Sequence, residues 1–322
     1  MKTAIVTGMT GQDGPYLAQH LISQGYKVFG LIRRYSNPNL ENLRWLGIEH
    51  DVHLITGDLT DDSSLNQIVR SIRPDEFYNL GAQSFVGASW DLSKVTTEVN
   101  ALGTLNCLNA IRQFSANTRF YQASTSEMFG NSNGSAQQNE LSPFCPRSPY
   151  GVSKLYAHWI TRNYRESYGM FSCSGILFNH ESPLRGPEFV TRKITQGVAK
   201  IKLGLAPEIV LGNLDTQRDW GHARDFVKAM WSMLQQPTPD DYVIATGQVH
   251  TVRECVEIAF DEIGIADWKP FVRLDSRFQR PAEIYSLCGD YSKATGQLGW
   301  QPETSFESMI REMVRVDLQR LK

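Results

Sequence analysis

The sequence predicts an α/β fold: a doubly wound parallel sheet with a smaller C-terminal substrate-binding domain. Three observations predict it. Short β-branched or aromatic runs alternate with longer segments of helical period through the first half. A glycine cluster follows directly on the first of those runs. After Asn179 the texture changes, and Pro, Gly and Arg become frequent.

The runs that read as strands are TAIVTG (Thr3 to Gly8), KVFGLIR (Lys27 to Arg33), VHLITGDL (Val52 to Leu59), EFYNLG (Glu76 to Gly81), RFYQAST (Arg119 to Thr125) and CSGILFN (Cys173 to Asn179). Between them lie amphipathic segments such as Ser63 to Ile72, with Leu65, Ile68, Val69 and Ile72 on one face. Such alternation implies a parallel sheet covered on both sides. Beyond Asn179, NHESPLRGPEF, LGNLDTQRDWG and DSRFQRPAEI look like pocket-building loops. ARDFVKAMWSML reads as a helix and DYVIATG as a strand with its turn. Spacing alone assigns these two to neither domain. The division adopted is a cofactor domain over residues 1–178 plus about 217–248, and a substrate domain over 179–216 and 249–322.

Composition narrows the function classes. The chain has 322 residues, 41% of them hydrophobic and 20% charged, with a formal net charge of −2. Nothing in that balance favours nucleic acid or an anionic membrane. The five cysteines are odd in number and lack Cys-x-x-Cys spacing, which argues against a disulfide framework or a zinc site. No His-x-x-x-His pair occurs among the seven histidines, and no protein-bound metal is expected. The start, MKTAIVTG, reaches a glycine loop too soon for a secretory signal. No apolar run approaches a membrane span, so a cytoplasmic location is expected.

TGMTGQDG places Gly8, Gly11 and Gly14 three apart, after the first strand and opening a helix. Glycines there let the backbone approach a pyrophosphate, and the helix N-terminus supplies N–H groups to hold it. The sheet is therefore expected to be Rossmann-type. Pro15 suits the first turn of that helix. The second strand ends in Arg33-Arg34 with no acid, which points to the 2′-phosphate of NADP rather than the 2′-hydroxyl of NAD. Asp58, after the third strand, is placed to accept from the adenine amino group, or to cap the next helix, as Asp61 also can.

Tyr150 and Lys154 stand four apart in SPYGVSKLYAHWI, one turn apart on a helix starting near Pro149. A nearby ammonium lowers a phenol's pKa, so Tyr150 is expected to act as a base near neutral pH. About 25 residues upstream, YQASTSEMFG ends a strand in Ser124, Thr125 and Ser126 and then adds a carboxylate, Glu127. Hydroxyls suit a hydrogen-bonding site; an added acid suggests proton chemistry. Capping a short helix is the alternative role for Glu127.

These strings, with GMTGQDG, YNLGAQSFVGASW, GILFNHESPLRG, FVTRKIT, RDWGHARDFV, RPAE and LGWQP, resemble the extended short-chain dehydrogenase/reductases, and more narrowly the GDP-mannose 4,6-dehydratase family, from Thr3 to the end. The resemblance implies a carbon–oxygen lyase that uses NADP and acts on GDP-mannose or a close GDP-sugar. Thr125 would bind the sugar 4-OH, Tyr150 would take its proton, and Lys154 would hold the nicotinamide ribose. Glu127 would take the C5 proton and help expel the 6-OH, with hydride returning to C6. Cofactor contacts carried over by motif are Gly8, Thr10, Gly11, Gln12, Asp13, Arg33, Arg34, Asp58, Leu59, Leu80, Gly81, Ala82, Gln83, Ser84, His180 and Arg185, together with Tyr150 and Lys154. Substrate contacts are Ser84, Thr125, Ser126, Glu127, Tyr150, Asn179, Val190, Lys193, Gly212, Arg218, Arg280 and Glu283. Trp220 reads as core rather than a stacking platform. Val95 to Ile111 and Tyr150 to Tyr168 are expected to form a paired-helix interface of a homodimer or homotetramer. The sequence departs from the family pattern in the loop Arg34 to Leu43 and at Cys145, where a tyrosine is usual. Competing readings are a GDP-mannoheptose 4,6-dehydratase, a GDP-4-keto-6-deoxymannose reductase, for which Glu127 has no use, and a non-catalytic NADP-binding regulator.

Overall fold

The computed structural model of the chain describes residues 1–131, 137–275 and 287–322; Arg280 and Glu283 lie outside them. The strands expected in the first half form as β1 (Thr3–Thr7), β2 (Lys27–Ile32), β3 (Val52–Thr56), β4 (Glu76–Asn79), β5 (Arg119–Thr125) and β6 (Ser172–Leu177). Shorter strands follow: β7 (Asn179–Glu181), β8 (Ile209–Leu211), β9 (Gln217–Arg218), β10 (Trp220–His222), β11 (Tyr242–Ile244), β12 (His250–Thr251) and β13 (Val272–Leu274). The helices are α1 (Asp13–Ser23), α2 (Glu41–Trp45), α3 (Asp62–Ile72), α4 (Ser93–Thr97), α5 (Gly103–Phe114), α6 (Pro149–Tyr168), α7 (Val190–Lys202), α8 (Ala223–Gln235), α9 (Val252–Glu262), α10 (Ser292–Leu298) and α11 (Phe306–Leu321).

Seven strands make one sheet in the order β11-β6-β5-β4-β1-β2-β3, every neighbour parallel. The strand in DYVIATG thus extends this sheet beyond β6, and α8 packs against α1. Both faces are covered. Leu17 and Leu21 of α1 join Phe226 and Met230 of α8 on one side. Leu65 and Val69 of α3 join Leu108 and Ile111 of α5 on the other. A second core lies among α7, α9 and α11, built on Ile194, Val198, Val256, Phe260, Met309 and Met313. Three two-stranded ladders, β7–β10, β9–β12 and β8–β13, carry the remaining short strands.

Local signals set the helix starts. Asp61 accepts from Ser63 N at the head of α3, so it takes the capping role that Asp58 might have shared. Ser148 accepts from Gly151 N, Pro149 occupies the first turn, and Gly169 closes α6 at φ 65°. Between α4 and α5, Glu98–Leu102 forms a π turn, so the helical run continues with one locally widened turn. All five cysteines are free thiols, and Cys145 is exposed. Among the described residues no helix is long and apolar enough to cross a membrane, and no cluster of His, Cys, Asp and Glu is arranged to hold a metal.

Candidate functional site

A cleft of ≈ 1510 Å³ runs along the C-terminal ends of β1 to β6 and on to the ladders of the second core. Parallel α/β sheets leave their crevice at that edge. Every described site candidate lines it except Arg34. Arg33 and Arg34 are both exposed; Arg33 borders the cleft and lies over the Tyr35 ring, and Arg34 does not border it. In an extended run, adjacent side chains leave on opposite sides.

The glycine loop is tightly folded. Gly8 adopts φ 69°, and a Cβ on Gly14 would lie 2.6 Å from Gly8 O. The residue preceding α1, Gln12, gives the helix no side-chain cap. Its amide instead donates to His180 O at 2.9 Å and accepts from Ser182 Oγ at 2.9 Å. The head of α1 therefore faces the cleft without a side chain across it, which fits a dinucleotide pyrophosphate. Asp13, in the first turn, pairs with His180 Nε2 at 2.9 Å. Burial works against the charge on His180, but Asp13 outweighs it and raises the histidine's pKa. Burial likewise works against Asp13, and His180 and Arg185 hold its carboxyl below the ordinary range.

Thr125 ends β5 and caps the short 3-10 turn Ser126–Met128, accepting from Glu127 N at 3.3 Å. That turn brings Glu127 into the cleft, nine-tenths buried. The Thr125 hydroxyl lies close enough to the Tyr150 phenol to lower its pKa, against the effect of burial. The hydroxyl of the strand tip, the phenol of the helix head and the carboxylate line one cleft.

The expected pull of Lys154 on Tyr150 is corrected by the geometry. Lys154 Nζ donates to Ala123 O at 2.8 Å and lies 6.0 Å from the Tyr150 ring centroid. Burial pushes the phenol up to about 12, with Glu127 adding to the rise and the Thr125 hydroxyl and Arg185 opposing it. Burial also pulls the Lys154 amine down to about 8. Sequence spacing placed the pair correctly but said nothing of desolvation, which dominates here.

Several contributors went unnoticed in the sequence. Asn100, on the π turn, accepts from Gln83 N at 2.9 Å and donates to Gln83 O at 3.0 Å and to Ser153 Oγ at 3.1 Å. It ties the Leu80–Ser84 loop to the residue beside Lys154. Thr7 Oγ1 accepts from Gly81 N and donates to Asn79 Oδ1, both at 2.8 Å, and Asn79 continues to Gln122 Oε1 at 2.8 Å. This buried polar layer fixes the strand ends beneath the cleft. The signal was present as a Thr, an Asn and a Gln inside apolar strands, but their partners are far apart in sequence.

At the far end, Arg218 is buried on β9 and Lys193 faces the cleft from α7. Burial lowers the Lys193 pKa, with Asp275 opposing. Arg185 pairs with Glu181 at 3.1 Å, and Glu181 also accepts from Thr191 Oγ1 at 2.6 Å. Asn179, Val190 and Gly212 line the same stretch. Trp220 is buried against Phe306, as expected for core, while one edge reaches the cleft.

The family model described as GDP-mannose 4,6 dehydratase matches residues 5–313. A GDP-mannose 4,6 dehydratase 2 of Arabidopsis thaliana is 50% identical, covering 100% of this chain and 88% of its own. A GDP-mannose 4,6-dehydratase of Yersinia enterocolitica is 50% identical, covering 100% and 95%. Among solved structures, the dTDP-glucose 4,6-dehydratase DesIV of Streptomyces venezuelae, with NAD bound, superposes with a TM-score of 0.86 at 26% identity, covering 98% and 96%.

Proposed function

The chain belongs to the GDP-mannose 4,6-dehydratase family, and on that premise we propose that it converts GDP-D-mannose to GDP-4-keto-6-deoxy-D-mannose. The observation that carries the proposal is that Thr125, Glu127 and Tyr150 line one cleft, with Thr125 and Glu127 both near enough to act on the Tyr150 phenol. Oxidation at C4 alone needs the phenol and the hydroxyl. Loss of water across C5–C6 needs a further acid–base group, and Glu127 is that group.

Each step assigns a proton. Tyr150 takes the proton of the 4-OH, which Thr125 holds. The ketone formed at C4 acidifies the C5 hydrogen, and Glu127 removes it. Glu127 then gives that proton to the 6-OH, which leaves as water. Hydride return to C6 is matched by a proton at C5; in the balance it is the equivalent of the one Tyr150 took from the 4-OH, so Tyr150 and Glu127 both end as they began. NADP, held by the glycine loop, Arg33 and Lys154, would supply reversible hydride chemistry between C4 and C6 with no net oxidation. Burial raises the Tyr150 phenol to about 12. Lys154, which donates to Ala123 O one helical turn from Tyr150, would hold the nicotinamide ribose.

Fit to the dinucleotide rests on the uncapped head of α1, the Gly14 approach and Arg33. Arg33 with no acid beside it favours NADP over NAD. Asp58, Leu59 and the Leu80–Ser84 loop would hold the adenosine and nicotinamide halves, with His180 and Arg185 beside the pyrophosphate side of Asp13. Arg218 and Lys193 suit the diphosphate of the GDP-sugar. Residues 1–178 with about 217–248 serve the cofactor, and the remainder serves the nucleotide sugar. Exposed Val95, Leu102, Val152, Tyr156 and Trp159 on the run from α4 and on α6 favour a homodimer through these helices. Light scattering at working concentration tests that, a monomer being the opposing result.

The direct test is incubation of the purified protein with GDP-mannose and sub-stoichiometric NADP. Loss of one water from the sugar nucleotide, without build-up of reduced cofactor, is the expected result. Untouched GDP-mannose together with turnover of a GDP-heptose or a 4-keto sugar would replace the substrate.

A further inference from the structure

Two aromatic rings meet across the cleft. Phe85, next to Ser84 on the cofactor loop, packs edge-to-face on Phe189 with centroids 5.8 Å apart and planes at 77°. Phe189 sits at the head of α7, immediately before Val190. The Arg185 guanidinium lies 3.5 Å from the Phe189 ring centroid, so three side chains stand in a row. All three line the cleft. Arg185 is also near enough to Tyr150 for its charge to oppose the effect of burial on the phenol. Phe85 adjoins Ser84 and Phe189 adjoins Val190, and all four line the same cleft as Tyr150.

We propose that Phe85 and Phe189 close the cleft over the sugar and nicotinamide, holding the oxidised sugar in place until hydride returns to C6. The inference rests on the dehydratase reading above. That reaction makes an unusual demand. Between the two hydride transfers the cofactor is reduced and the sugar is a ketone. A ketone lost at that point strands the cofactor, since no second substrate reoxidises it. A closure joining the cofactor loop to the substrate helix meets this demand.

The construction suits a contact that opens at each turnover. Its two supports are fixed. The loop is held by Asn100 to both backbone groups of Gln83, and Gln83 Nε2 donates to Phe85 O at 3.2 Å. Phe189 N donates to Gly186 O at 3.2 Å, and Phe189 O accepts from Lys193 N at 2.8 Å. The ring contact between them is shallow: Phe85 keeps 37% exposure. An exposed edge-to-face pair is held weakly enough to part on the timescale of turnover. Gly87 makes room for it, since a Cβ there would sit 3.2 Å from Phe85 Cζ.

The test uses Phe85→Ala, Phe85→Tyr and Phe189→Ala, each compared with the unaltered protein. One readout needs no sugar: acrylamide quenching of the fluorescence of bound reduced cofactor. Closure predicts a several-fold steeper quench in both Ala variants and a return toward the unaltered value in Phe85→Tyr. The second readout is coupling with GDP-mannose: reduced cofactor left behind per product formed. It should rise several-fold in the Ala variants, with kcat falling more than KM rises. Unchanged quenching overturns the closure whatever the substrate proves to be. Unchanged coupling with only a raised KM makes the pair a binding contact and also overturns it. Lack of turnover of GDP-mannose by the unaltered protein speaks against the dehydratase reading, while the quenching result still judges the closure. Melting curves check that the exposed-ring variants fold, and Phe85→Leu replaces Phe85→Ala if that variant does not.

Discussion

The two ends of the cleft are built differently. At the cofactor end, Gly8, Asp58, Leu80 and Thr125 all follow or end strands of one parallel sheet, so topology itself aligns them. At the sugar end, Asn179, Arg218 and Gly212 hang on or next to three separate ladders, each two to three residues long. The first design repeats a general scaffold; the second is particular to its ligand. The proposed chemistry falls where the two meet, between the tip of β5 and the head of α6.

That contrast can be broken or sharpened by substitution. The largest effect is expected at the meeting point. Tyr150→Phe should lower kcat by about 10²–10⁴-fold, the range for a lost general base, with cofactor affinity little changed by titration. At the cofactor end, Arg33→Ala should weaken NADP binding by about 10- to 100-fold, from a lost charge-assisted contact of about 1.5–3 kcal/mol, while NAD binding stays level. Equal loss for both dinucleotides would remove Arg33 from the 2′-phosphate. Asn100→Ala leaves the Gln83 backbone groups and Ser153 short of a partner. It should cost about 1–3 kcal/mol of stability by denaturant titration and lower kcat, since it frees the loop beside the site.

The smallest effect is a pH dependence from Asp13 and His180. His180 is held above its ordinary 6.5, so its contribution is complete below that pH and is lost as pH rises through the raised value. Asp13 is held below its ordinary 3.8, so its contribution is complete above that pH and is lost as pH falls through the lowered value. Both hold together between 3.8 and 6.5. The melting difference between the unaltered protein and Asp13→Asn should therefore be greatest in that interval and shrink above neutrality. A difference independent of pH would dissolve the pair.

Much of the cofactor end was legible because its signals are local. Glycine spacing, a strand tip of small hydroxyls, Ser148-Pro149 at a helix start and a four-residue interval each report on a few consecutive residues. What escaped was set by distance or by solvent. Asn100 meets Gln83 and Ser153 through a π turn that no periodicity announces. Phe85 and Phe189 are 104 positions apart in sequence (189 − 85), so their contact exists only in the fold. Arg33 and Arg34 are equivalent as letters and both exposed, yet only Arg33 borders the cleft. Lys154 and Tyr150 have the expected spacing, but burial, absent from spacing, decides their protonation. The strand at Tyr242–Ile244 was visible as a strand; its place in the large sheet required the pairing with β6.

The most direct test of the central claim is a single turnover with Glu127→Gln, stoichiometric NADP and GDP-mannose, followed by absorbance of the reduced cofactor and by the mass of the sugar nucleotide. The account predicts that C4 oxidation still occurs, that reduced cofactor accumulates and that no water is lost. Water loss at the rate of the unaltered protein would contradict it and move the C5 proton to another residue.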